Sequence, residues 1–175
     1  MSNSNPPLVN KVAASGLITL KLEEFWPNVE LAELDIKDYL FKELLLKEKD
    51  FREAMNHHDW TQYEGKVLLV YCSTDAIIPM WAYMLIASHA APHAQDVFQG
   101  RPEDYYRTFF TQKLHALDLE KYQDQRVILK GCTDGKAIPP QAYLELTKRL
   151  RPVAKSIMFG EPCSTVPIFK RPRNK

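Results

Sequence analysis

A chain of 175 residues, 45% of them hydrophobic and 26% charged, is long enough to bury a full core and has the composition of an ordinary globular domain. Its formal net charge of +1 leaves no electrostatic footprint for nucleic acid, and the only basic cluster is the tail Lys170–Lys175. No apolar stretch reaches the ~18 residues of a membrane span, and the N-terminus lacks the basic and apolar regions of a secretory signal; the expectation is a cytoplasmic protein with neither nucleic acid nor membrane as partner.

Residues 1–10 are polar and proline-bearing and read as a disordered tail, 11–170 as one α/β domain, and 171–175 as a basic tail. Ile18, Leu20 and Leu22 alternate with Thr19 and Lys21 as in a half-buried strand, which Trp26-Pro27-Asn28 breaks. Asp35 suits a helix cap, with Ile36, Tyr39 and Leu40 at helical spacing, while Glu43–Leu46 is ambiguous between helix and strand. A helix from Lys47 carries Phe51, Ala54 and Met55 inward and ends near His57-His58, read as a solvated helix end.

Lys66–Cys72 is a continuous apolar run of the kind that forms a strand buried on both faces. Pro79 then starts a helix that is apolar almost all round and is expected to lie deep, with Trp81, Met84 and Leu85 buried. Pro92 stops it, 93–100 supply a second strand, and Gly100-Arg101-Pro102 turns the chain into a helix with Tyr106, Phe109, Phe110, Leu114 and Leu117 on one face. Arg126–Cys132, a helix from Pro139 and 154–161 repeat the order; this helix is amphipathic, with Gln141 and Glu145 expected outside. Thr165–Lys170 reads as an edge strand because Pro167 cannot donate to a central ladder.

Segments 66–102 and 126–162 align without a gap at an offset of 60 residues. Val67/Val127, Cys72/Cys132, Ile78/Ile138, Pro79/Pro139, Tyr83/Tyr143 and Gly100/Gly160 are among the identical pairs. The pattern predicts an internally duplicated βαβ unit and a mostly parallel sheet. Cys72 and Cys132 end equivalent strands, and Cys163 follows the second strand of the second segment, so all three are expected at the carboxyl edge of one sheet, where open α/β folds place ligands. Each cysteine is followed by a hydroxyl residue and, further on, a proline. Two of these loops lead to helix N-termini, which stabilise thiolates.

Three readings follow. Cys72, Cys132 and Cys163 form a thiolate site for zinc or an iron–sulfur cluster, with Asp75, Asp134 or Glu161 as fourth ligand. Alternatively, Cys72 or Cys132 is a nucleophile in thiol or sulfur-transfer chemistry. In the third reading the chain is an interaction module whose cysteines only pack. His89 and His93 have metal-ligand spacing, but Pro92 breaks the helix between them. No P-loop, dinucleotide fingerprint or serine-hydrolase elbow is present.

Val9–Leu20, Asp35–Phe41, Leu46–Glu53, Cys72–Met84, Ala142–Thr147 and Ser156–Pro167 resemble an uncharacterised family of small bacterial proteins, domain-of-unknown-function family 2480. The resemblance implies an intracellular protein encoded near iron–sulfur assembly components of the sulfur-mobilisation type, and hence iron–sulfur assembly proteins as partners. It carries no assigned catalytic residue.

Overall fold

The computed structural model describes residues 17–131, 135–161 and 163–172. Among the described residues, seven strands and four α-helices follow in the order β1 (Leu17–Leu20), β2 (Leu31–Asp35), α1 (Glu48–His57), β3 (Val67–Tyr71), α2 (Met80–Ala90), β4 (Asp96–Gln99), α3 (Pro102–His115), β5 (Arg126–Leu129), α4 (Pro140–Leu150), β6 (Ser156–Glu161) and β7 (Ser164–Lys170). The fold is mixed α/β and its strands are mostly parallel, but they lie in two sheets rather than one, ordered β2-β3-β4 and β1-β5-β6-β7. Among the described strands, β6 and β7 alone pair antiparallel. Two compact units result: Pro27–Phe109, and a discontinuous one formed, among the described residues, by those up to Trp26 together with those from Phe110 on.

In the Pro27–Phe109 unit, β3 is buried on both faces because its side chains alternate between two clusters. Leu68 and Val70 pack with Leu34, Ile36, Phe51, Met55, Ala82 and Ile86, while Val67 and Leu69 meet Tyr105 and Phe98. The element order is strand, 3-10 turn (Ile36–Tyr39), helix, 3-10 turn (Trp60–Tyr63), strand, helix, strand. The discontinuous unit shows the same order through β1, Leu22–Phe25, the part of α3 from Phe110 on, Glu120–Tyr122, β5, α4 and β6, then adds β7. Leu20, Phe110, Leu114, Tyr122 and Leu146 are buried in it, as Leu34, Phe51, Met55, Tyr63 and Ile86 are in the other. The registers differ by one residue: Val67 stands opposite Asp96, whereas Val127 stands opposite Ile157.

β7 is the expected edge strand, with Pro167 opposite Met158 next to a register shift. β2 escaped the sequence reading because Leu31–Asp35 is short and only Leu34 of it is buried.

Helix burial corrects the expectation from hydropathy. Met84 is 71% exposed and Met80 70%, whereas Glu145 is only 7% exposed. Trp81, Leu85 and Gln141 are half-buried. A helix covering one face of a sheet buries one stripe, and in both helices that stripe is the same, Ala82, Ile86 and Ala90 in α2 and Ala142, Leu146 and Leu150 in α4. Glu145 tolerates burial because His115 Nε2 and Lys148 Nζ each lie 2.8 Å from its oxygens. Those hydrogen bonds, Lys148's first, hold its carboxyl below the ordinary range.

His58 is a second correction. It is half-buried, not solvated, with Nδ1 3.1 Å from Tyr39 Oη and Nε2 2.9 Å from Tyr63 Oη, and it stacks on the Tyr63 ring. A neutral imidazole offers one donor and one acceptor, which suits two hydroxyls. Burial lowers its pKa from 6.5 despite the opposing charge of Asp59. The unfolded chain therefore takes up this proton first as pH falls. The His58 contribution to stability is complete above pH 6.5 and is lost on acidification toward the lower folded value. His58→Gln should flatten the fall of the urea midpoint between about pH 7 and pH 5; an unchanged slope would remove His58 as its source.

Candidate functional site

The carboxyl edge of the β2-β3-β4 sheet opens into a crevice of about 310 Å³. β3 delivers Cys72 to it, the loop that follows delivers Thr74 and Ile78, α2 supplies Tyr83, and Gln99, Gly100, Arg101 and Asp104 close the far side. Strand carboxyl ends and helix N-termini meet at such an edge, so polar backbone groups surround a ligand there.

The loop after β3 is tied back by Asp35. One carboxylate oxygen accepts from Lys37 N and Ser73 N, both at 3.0 Å. Burial opposes ionisation of Asp35, but the hydrogen bonds from Ser73 and Lys37 outweigh it and hold the carboxyl below the usual range. Cys72 is half-buried, and its Sγ lies 3.2 Å from Thr74 Oγ1. A hydroxyl at that distance can donate to a thiolate or accept from a thiol.

Tyr83 feels both burial and the neighbouring Cys72, which push its phenol pKa up. Tyr71 donates to Glu33 Oε2 at 2.7 Å; that bond, then burial, pushes its phenol up to about 12. The Arg101 guanidinium lies 4.6 Å from the centre of the Tyr71 ring, a cation–π contact. Asp104, in the first turn of α3, accepts from Arg101 N at 3.2 Å. Gly100 has φ +137°, so the chain turns sharply between β4 and Arg101.

The other sequence-predicted residues fall as follows. Asp75 is exposed in the loop after Cys72, and Cys163 is exposed in the turn joining β6 to β7. Glu161 ends β6 half-buried, with Oε1 buried and unpartnered. Cys132 and Asp134 lie outside the described residues. The expectation of a single sheet edge is corrected, since Cys72 follows a strand of one sheet and Cys163 a strand of the other. Among the described residues no group of three or more His, Cys, Asp or Glu side chains is arranged to hold a metal. The described residues thus do not gather the donors of a metal site.

Sequence reasoning missed Arg101, Thr74 and Tyr83. Gly100-Arg101-Pro102 read only as a turn, and Thr74 only as a neighbour of cysteine. The usable signal was Tyr83/Tyr143, identical in the two aligned segments and lining a cleft in both units. No described helix is long and apolar enough to cross a membrane. A family model described as "Protein of unknown function (DUF2480)" matches residues 6–171. No curated protein and no solved structure matches the chain.

Proposed function

We propose, for a chain that belongs to the DUF2480 family of proteins of unknown function, that Cys72 is the working group of a thiol-dependent sulfur transfer. One observation carries the reading: the Cys72 thiol belongs to a polar crevice that also holds Thr74, Tyr83 and Arg101. In the proposed step the Cys72 thiolate attacks the outer sulfur of a persulfide donor. A new S–S bond forms, the donor's S–S bond breaks, and the donor leaves as a thiolate with the electron pair. Thr74 donates a hydrogen bond to the attacking thiolate, and Arg101 lines the same crevice.

The same element order in both units, together with the gap-free alignment of 66–102 with 126–162, supports an internal duplication that gives each unit a cysteine after its central strand. A second reading rests on the placement of Cys72 and Cys163, neither of them in a disulfide, just beyond strands β3 and β6. In it the cysteines serve zinc or iron–sulfur cargo, each within its own unit, in exchange with iron–sulfur assembly proteins. Metal carriage needs thiols that remain reduced.

One anaerobic preparation separates the two. Under sulfur transfer, treatment with polysulfide adds the mass of sulfur to the peptide containing Cys72, Cys72→Ser abolishes the addition, and Cys163→Ser leaves it intact. Labelling that follows exposure alone, on Cys163 and not Cys72, sinks this reading. Stoichiometric iron or zinc that is lost in each of the three serine variants would establish the second.

A further inference from the structure

We propose that the discontinuous unit binds a small soluble amphiphile with an apolar body and one carboxylate head, in a cleft separate from the Cys72 crevice. The cleft measures about 850 Å³ and its walls are apolar, built by Leu129, Ile138, Tyr143, Leu144, Phe159 and Ile168. Ligand sites in proteins run to about 300–1,000 Å³ and are mostly apolar with a few fixed polar groups. Leu144 is 61% exposed and Ile168 51%, so the wall has apolar surface to offer a ligand.

Charge selects the head group. Among the described residues, Lys136 and Lys148 are the charged ones lining the cleft, and no described acid lines it. Lys148 is committed to Glu145 at 2.8 Å. Lys136 donates to the Glu23 carbonyl at 3.1 Å, and among the described residues no carboxylate lies within ion-pair distance of it. The nearby Glu23 carboxylate is engaged instead by Lys130 Nζ at 3.1 Å. An ammonium carries three donors, so Lys136 keeps two N–H groups beyond its bond to Glu23 and, among the described residues, a positive charge without an acid partner beside an apolar wall. Tyr143 also lines the cleft, its hydroxyl 3.5 Å from Lys130 O. A cation beside an apolar wall is complementary to a monocarboxylate with a hydrocarbon tail, and it opposes an amine of the same length.

Titration calorimetry of the full chain with octanoate and decanoate below their micellar concentrations, against decanol and decylammonium, tests this. Each methylene should tighten binding roughly three- to fourfold, making decanoate about tenfold tighter than octanoate. Lys136→Gln should weaken decanoate by about tenfold and leave decanol unchanged, while Leu144→Gln, at an exposed wall position, should weaken both. A melting temperature within a few degrees of the parent establishes that each variant is folded. Decylammonium binding as tightly as decanoate, or decanoate affinity indifferent to Lys136→Gln, would overturn the proposal. So would the absence of saturable decanoate binding, whether because anionic phospholipid vesicles bind in its place or because a second copy fills the cleft, as a dimer broken by Leu144→Gln would reveal.

Discussion

Replacing Phe51 with alanine should cost about 3–5 kcal/mol of stability, the range for removing a fully buried phenylalanine from a core that cannot collapse around the void. Phe51 has no exposed surface. Its ring meets Tyr39 at 5.8 Å and 87° and Trp81 at 5.8 Å and 70°, edge-to-face contacts that add to the area term. It also fixes α1 against the β2-β3-β4 sheet, so its loss should loosen the loop ends that form the Cys72 crevice. Urea unfolding followed by tryptophan fluorescence reads the effect mostly where it occurs, because two of the three tryptophans, Trp60 and Trp81, belong to the Pro27–Phe109 unit. Phe41, which is about half exposed, provides the control, and its alanine variant should stay within about 0.5 kcal/mol of the parent. A Phe51→Ala loss below about 1 kcal/mol would mean that α1 is not packed as described.

Gly160→Ala should be the most damaging single methyl addition in the β6–β7 hairpin. The residue has φ +123°, and an added Cβ would sit 2.5 Å from the Ser164 carbonyl oxygen, inside any permissible contact with backbone. Strain of this kind costs about 1–3 kcal/mol before the clash is relieved; opening the hairpin to relieve it would displace Cys163 at the turn. Gly65 and Gly135 also have positive φ, +71° and +79°, but open space beyond them. Their alanine variants should lose only about 1–2 kcal/mol. Thermal unfolding of the three variants side by side checks the ranking, and equal losses would show that conformation alone, not the Ser164 contact, governs Gly160.

Much of the local structure was legible because it is written in short-range pattern. The apolar run at 67–71, the prolines before α2 and α4, and Pro167 in an edge strand each follow from a physical constraint on a few neighbouring residues. What was not legible depends on distant partners. Leu17 pairs with Arg126 and Leu31 with Val67, and nothing within either strand says that they enter different sheets. The same blindness misplaced Met84 and Glu145, since mean hydropathy describes a whole helix but burial follows the stripe that meets the sheet. His58 looked solvated because its tyrosine partners lie 19 residues before and five after it. At the site, Cys72 and its helix-leading loop could be read from sequence, whereas Arg101 became visible only once β4 was laid beside β3.

The interruption of one unit by the other has a consequence for how the chain is made. Synthesis delivers β1 first, but its partner β5 begins only at Arg126, whereas β2, β3 and β4 are all available once Gln99 has emerged. At about 5–20 residues per second, β1 waits several seconds for its ladder while the inserted segment can already complete its own. Compaction of that segment shortens the effective loop that β1 and β5 must close, and closure entropy grows with the logarithm of loop length. The nascent chain thus has a built-in order of assembly, in which the early strand remains exposed to misplaced pairing until the late one arrives.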